Sequence, residues 1–312
     1  MKNTKWSPIT KGNVFVGLAT ICLSLKPILI KLVYAEGMDP ETTLFIRQMM
    51  ATLILWGLVL FSKSKPSFPR NRKNIVKLLL IGLFGFFISP LLDFWGLFYV
   101  DAIVERMLLF TYPIFVILMT SVLSKKPIDL TTIVTTLSIY VGIMLTLGGN
   151  ELSSLKVNLF GAVCILLAAI TYAYYLVLSG ELVHSIGTVK LNAAGMLVAT
   201  VSITLYLLVK ILVADPVPLF SYSGKSYFLL LLISLITTVV PLLLMVEGMK
   251  RIGVIRSSMI SLFGPMITII LGTFYLKESL EPVQWFGCFL VLVSVVLLEG
   301  KKYFSRENSN SV

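Results

Sequence analysis

The chain has 312 residues, of which 57% are hydrophobic and 13% charged. A soluble domain carries about 45–50% apolar and about 25% charged residues, so this composition excludes a water-soluble globule. The formal charge is +11, His184 is the sole histidine, and Cys22, Cys164 and Cys288 each stand alone in apolar runs. No disulfide framework, CxxC motif, histidine-based metal site or histidine triad can be built from them.

A helix crosses ~30 Å of hydrocarbon with about 20 apolar residues. Runs of that kind lie at 12–34, 42–62, 76–99, 103–123, 131–149, 158–180, 190–212, 226–248, 253–275 and 282–300. They predict an all-α polytopic membrane protein with ten transmembrane helices. The first run follows Lys2, Lys5 and Lys11, as a secretory signal would. It is too long for an h-region, contains Lys26 and lacks a small-residue cleavage site, so a retained first helix is expected. The connections Tyr99 to Ile103 and Gly248 to Gly253 are short enough to make their neighbours antiparallel.

Direction follows from lysine and arginine. Eighteen basic residues fall on one face, from Lys2, Lys5 and Lys11 through the cluster Lys63, Lys65, Arg70, Arg72, Lys73 and Lys77 to Lys301, Lys302 and Arg306. The other face holds four, Lys156, Lys210, Lys225 and Lys277, beside Glu36, Asp39 and Glu41. This bias predicts both termini in the cytoplasm and a multi-pass protein of the inner (cytoplasmic) membrane.

Gly96 to Pro113 and Gly248 to Pro265 have the same spacing at an offset of 152, which also carries Lys125 onto Lys277. Ten spans divide into two fives, residues 1–150 and 151–300, with 301–312 as a cytoplasmic tail. A unit with an odd number of spans, followed by its copy, enters the membrane from the opposite side. The expected architecture is therefore two inverted five-helix repeats, as in many secondary transporters.

The stretch LGTFYLKESLEPVQWFGCFLVLVSVVLLE resembles the closing hairpin of the EamA-type transporters of the drug/metabolite transporter superfamily. LLDFWGLFYVDAIVERMLLFTYPIFV resembles their third and fourth spans, and TLFIRQMMATLIL their second, with Arg47 near its start. The resemblance implies a ten-helix carrier of five-plus-five design and suggests export. Two departures stand out: Lys277 precedes Glu278 where the family often has glycine, and Ser294 replaces another frequent glycine.

Charges within the apolar runs are expensive and normally face a partner or a water-filled cavity. Lys26 falls about 12 Å from its helix end, Asp93 about 9 Å, and Arg47 and Arg106 about 5–8 Å. With Glu105 they form a candidate polar pocket of three cations and two anions, all in the first repeat. A guanidinium there can hold a carboxylate through two hydrogen bonds. The competing reading makes Asp93 and Glu105 fixed partners of Lys26 and Arg106. Pro27 removes a backbone donor and frees the carbonyl of Leu23 beside Lys26; Pro113 and Pro265 are the other candidate gating prolines. Tyr112, Tyr172 and Tyr175 are candidate aromatic walls, with Trp95 and Phe110. His184 is expected in a cytoplasmic connection.

The function these features point to is a secondary transporter working by alternating access. Its cargo is a small zwitterionic or anionic, amino-acid-like metabolite, exported or exchanged. The sequence has no P-loop for ATP-driven transport. An intramembrane enzyme would need a nucleophile with a base, or a metal cluster, and a channel would need a recognisable filter. No cofactor, metal or nucleic-acid partner is expected. Membrane lipid is a partner, protons are a candidate partner through Asp93 or Glu105, and the sequence leaves the oligomeric state open. Lys26→Ala is expected to abolish transport while the protein still folds.

Overall fold

The computed structural model describes residues 7–61, 71–124, 130–147, 152–213, 221–252, 257, 260, 261 and 263–309. Several basic residues used for orientation, including Lys2, Lys5, Lys63, Lys65, Arg70, Lys125, Lys126 and Arg256, lie outside them. The described secondary structure is helical. In chain order it comprises α1 (Pro8–Ser24), α2 (Lys26–Ala35), α3 (Pro40–Phe61), α4 (Arg72–Leu80), α5 (Ser89–Tyr99), α6 (Ala102–Leu109), α7 (Tyr112–Ser124) and α8 (Leu130–Leu147). It continues with α9 (Leu152–Ile186), α10 (Thr188–Val213), α11 (Gly224–Ser234), α12 (Val240–Ile252), α13 (Gly264–Leu271) and α14 (Pro282–Ser309).

Among the described residues, seven continuous or nearly continuous helical segments are long and apolar enough to cross a membrane. Three shorter apolar helices, Ile133–Gly142, Gly264–Leu276 and Pro282–Ser294, fall in the remaining expected runs. The bundle buries polar and charged side chains beside its apolar core and exposes large apolar side chains on its outside. Leu60 is 72% exposed and Leu212 83%, whereas Thr20, Ser24, Arg47, Gln48, Asp93, Glu105 and Arg106 are buried. Water would reverse that distribution; lipid favours it.

Prolines divide several of the expected spans. Pro27 opens α2 after a break at Leu25, Pro113 is the second residue of α7 after the turn at Phe110 and Thr111, and Pro265 is the second residue of α13. Each sits where a missing N–H is tolerated, so all three candidate gates mark helix starts. Pro90 and Pro241, 151 residues apart, each come after a π-helical stretch, Ile81–Ile88 and Leu235–Val239. Such a stretch widens the turn locally and re-aims the helix on its C-terminal side.

Contacts between the halves come in matched sets. The helix α1 packs chiefly on α12, and α9 on α5, while α3 packs on α10 and α8 on α14. Exchanging the halves in chain order turns the first pair into the second and returns each of the last two to itself. Glycines carry the two crossings. A Cβ at Gly96 would lie 2.8 Å from the Gly161 oxygen, and one at Gly161 3.0 Å from the Gly96 oxygen. At the other crossing, a Cβ at Gly248 would lie 3.2 Å from the Gly12 oxygen. Gly12 precedes Gly161 by 149 residues and Gly96 precedes Gly248 by 152. Backbone contact at small residues is how helices approach closely without a hydrophobic drive.

Two turns match in the same way. Gly37 after α2 and Gly187 after α9, 150 residues apart, have φ of 82° and 80°. They lie at opposite ends of the bundle. Glu36, beside Gly37, meets Lys225 at the end remote from the start of α1, the far end. Ile186, beside Gly187, packs with Leu78 of α4 at the near end.

Among the described residues, one with a side chain adopts the left-handed conformation, Lys277, with φ 57°. This is the place where the resemblance leads one to expect glycine. A left-handed residue with a Cβ costs about 1–2 kcal/mol, partly offset by the greater unfolded-state freedom of glycine. Lys277→Gly should therefore raise thermal stability, by about 1 kcal/mol or less. A clear loss of stability would show that the lysine side chain contributes something the backbone geometry does not.

Candidate functional site

The break between α1 and α2 brings the charged side chains together. Lys26, the first residue of α2, reaches α5 and α6: its Nζ lies 2.5 Å from Asp93 Oδ2 and 3.5 Å from Glu105 Oε1. Asp93 is 3% exposed and Glu105 0%. One ammonium thus serves two buried carboxylates. Asp93 Oδ1 and both Glu105 oxygens have no hydrogen-bond partner among the described residues.

Arg106, adjacent to Glu105, points elsewhere, as the ~100° step between helical neighbours requires. It donates to the Leu23 carbonyl, the group whose backbone donor Pro27 removes. Its Nε donates to Thr268 Oγ1 at 3.3 Å, and that hydroxyl donates to Ser24 O at 3.2 Å. Ser24 Oγ in turn donates to Gly264 O at 3.0 Å. Arg106 therefore ties the α1–α2 break to the start of α13, joining the two halves. Of the competing reading, in which Asp93 and Glu105 are fixed partners of Lys26 and Arg106, only the Lys26 part is seen: Arg106 makes no ion pair among the described residues.

Arg47 differs again. It is 6% exposed, on α3, with Nη1 donating to Thr238 Oγ1 at 3.3 Å and Nη2 to Gln48 Oε1 at 3.0 Å. Its guanidinium lies 5.1 Å from the centre of the Phe94 ring, and its Nε has no hydrogen-bond partner among the described residues. Its side-chain partners are neutral, and no ion pair reaches it among the described residues. A buried guanidinium without an anion retains the capacity to bind one.

The tyrosines form a second group. Tyr112 and Tyr172 meet at 5.2 Å and 89°, Tyr172 and Tyr175 at 5.4 Å, and Tyr175 and Phe86 at 5.1 Å. Phe110 links this group to the charges, 6.2 Å from Tyr112 and 6.0 Å from the Arg106 guanidinium. Trp95 packs instead beside the Ile28, Phe94 and Leu97 core. His184 lies within α9, which runs to Ile186, and not in a connection. Sequence reasoning passes over Ser24, Gln48, Thr238 and Thr268; their only signal is a hydroxyl or amide within an apolar run.

At the far end, polar contacts join the halves in both directions. Lys225 Nζ lies 2.6 Å from Glu36, Tyr222 donates to Asp39 at 2.9 Å, and Lys210 lies 3.1 Å from Glu41. In the reverse sense, Glu278 accepts from the Ala102 and Ile103 amides at 2.8 and 3.2 Å, at a helix N-terminus that favours an anion. The hydrogen bond from Lys225 holds the Glu36 carboxyl below its ordinary range. Burial raises Asp39, but its hydrogen bonds, the Thr42 amide first, outweigh this and leave it lowered. Burial pushes Glu278 up, against the pull of the two amides.

A model of the EamA-like transporter family matches the chain twice in succession, over residues 10–148 and 159–299. The chain belongs to this family. It is 39% identical over 293 residues to the uncharacterized transporter YcbK of Bacillus subtilis (strain 168), a match covering 93% of both chains. It is also 22% identical to the uncharacterized transporter YyaM of the same organism, over 87% of this chain and 89% of the relative. A crystal structure with 15% sequence identity covers 92% of this chain and 96% of its own, with a TM-score of 0.60, and shares the fold. The protein is thus a multi-pass membrane transporter with two EamA units.

Proposed function

We propose that the protein is a secondary carrier for a small zwitterionic or anionic, amino-acid-like metabolite, working by alternating access as an exporter or exchanger. The chain crosses the inner membrane ten times, with both termini in the cytoplasm. Residues 1–150 and 151–300 are inverted halves and 301–312 form the tail. The matched helix pairings and glycine crossings support that symmetry. The observation that carries the cargo class is Arg47, buried and without an anionic partner among the described residues. Arg47 takes the substrate carboxylate, and the Tyr112, Tyr172 and Tyr175 group walls the path beyond. Lys26, Asp93 and Glu105 set the charge of the pocket; Arg106 fixes the helix break beside it.

In this reading the far end faces outward, and its contacts hold the outer gate shut. Rocking one half against the other must break the Lys225–Glu36, Tyr222–Asp39 and Lys210–Glu41 contacts together. Glu36 and Asp39 have lowered pKa values, so their contribution to closure is full above the ordinary carboxylate range and is lost as pH falls through the lowered values.

The test is counterflow in proteoliposomes preloaded with a mixture of the common L-amino acids, using radiolabelled members outside. Saturable uptake that depends on the internal load supports the carrier; its absence for zwitterions and for small carboxylates alike contradicts the cargo class. A Glu36→Cys/Lys225→Cys pair, oxidised to a disulfide, should stop this flux, and reduction should restore it. Undiminished flux through the cross-linked protein would exclude the far end as a gate.

A further inference from the structure

We infer that Lys26, Asp93 and Glu105 form a proton-binding site, holding one exchangeable proton between the two carboxyl groups and using Lys26 as their shared cation. The inference rests on the carrier reading above and adds the species that is moved in exchange for the cargo.

The site is short of hydrogen-bond donors. Two buried carboxyl groups meet on a single ammonium, at 2.5 Å for Asp93 and 3.5 Å for Glu105. Three of their four oxygens, Asp93 Oδ1 and Glu105 Oε1 and Oε2, have no hydrogen-bond donor among the described residues. Buried acceptors are costly when unpaired, and ionised ones most of all. The neighbouring donors are turned to other partners, Arg47 Nε excepted, which has no hydrogen-bond partner among the described residues. On α6, Arg106 is turned to Leu23 O and Thr268; on α3, Arg47 is held by Gln48, Thr238 and the Phe94 ring. On α2, Tyr34 donates its hydroxyl to Phe94 O, and Lys31 lies a turn and more beyond Lys26. From the neighbouring helices, α9 offers the Ala168 carbonyl, bonded by Ser89, and α13 offers Thr268.

A single proton on one carboxyl group gives the pair a donor of its own, an O–H directed to the other carboxylate. The ammonium then balances the one remaining negative charge. Two like carboxyl groups sharing a site behave as a coupled pair and take up one proton readily. The step is a plain acid–base exchange. Water delivers the proton on the side open to the site, the carboxylate accepts it, and the same O–H bond breaks to water when the halves rock to the other side. Lys26 stands at the α1–α2 break and can shift between its two partners without crossing the core. Cargo moving one way is thereby linked to a proton moving the other.

Infrared spectroscopy of the full-length protein in liposomes tests this without any cargo. The wild type should show the C=O stretch of a buried protonated carboxyl group, shifting downward in D2O. Glu105→Gln should remove that band, because a lone Asp93 carboxylate beside Lys26 is balanced and stays ionised. Should Glu105→Gln fail to fold, Asp93→Asn provides the same test: the band is lost or its frequency moves. A wild-type protein without the band, or a band unchanged in the variants that fold, overturns the inference. Because the readout needs no transport, its failure leaves the counterflow test of the carrier untouched.

Discussion

Lys26→Ala should lower stability by roughly 3–5 kcal/mol, seen as a large fall in the melting temperature of detergent-purified protein, and should abolish transport. Sequence alone leads one to expect that this substitution spares folding. The geometry argues otherwise, since removing the ammonium leaves the buried Asp93 and Glu105 without their shared cation. The triple variant Lys26→Ala/Asp93→Asn/Glu105→Gln removes the whole charge set together and should regain most of the lost stability. It should remain inactive in counterflow. Recovery of both properties would make the cluster a structural ion pair alone. Failure to recover stability would mean that Lys26 supports the fold through contacts other than these two carboxylates.

Arg47 is expected to behave in the opposite way, with a large effect on flux and a modest one on folding. Its partners are the neutral Thr238 and Gln48 and the Phe94 ring, so no buried carboxylate among the described residues is orphaned when it goes. Arg47→Ala removes a charge-assisted contact worth about 1.5–3 kcal/mol, which corresponds to roughly 10- to 150-fold in apparent affinity. Arg47→Lys keeps the charge but not the planar fork, and should recover only part of that loss. The measurement is the concentration dependence of counterflow in proteoliposomes, with melting temperature recorded alongside. Unchanged half-saturation in Arg47→Ala would remove the guanidinium from the cargo site. A rise confined to cargo bearing a carboxylate would locate that group on it.

The sequence disclosed the class of the fold because apolar runs and lipid thickness leave few alternatives. It also disclosed that Lys26 and Asp93 lie about 12 and 9 Å from their helix ends, since depth is simply distance along a helix. It did not disclose which charges face one another, because facing depends on the helix breaks. Arg106 shows this best. Its charge and depth make it a ligand candidate, yet the broken backbone at Pro27 takes its hydrogen bond at Leu23. The freed carbonyl is legible from the proline; the residue that fills it is not. Breaks also divide what reads as one apolar run at 12–34 into α1 and α2, and the run at 103–123 into α6 and α7. Lys277 is a converse case, where a glycine expected from family resemblance is explained afterward by a left-handed φ.

The buried charges of the candidate site are unevenly shared between two halves whose helix pairings recur. The glycine crossings, the prolines after π-helical stretches and the turns at Gly37 and Gly187 recur in both. At the offset of 152, by contrast, Asp93 falls on Met245 and Glu105 on Ser257. The first half supplies the Lys26, Asp93 and Glu105 cluster, while the prolines after π-helical stretches recur in both. This division suits a carrier in which symmetry governs motion and the departure from symmetry governs what is bound.

Opposite threading of the two halves underlies the whole transport cycle proposed for this chain, and it places the matched turns at Gly37 and Gly187 on opposite faces of the membrane. Single cysteines at Glu36→Cys and Thr188→Cys, in a background with Cys22, Cys164 and Cys288 replaced by alanine, can be probed in intact cells with a membrane-impermeant maleimide. Position 36 should label from outside, and position 188 only after the membrane is opened. Both positions reacting from the same side would contradict the inverted arrangement.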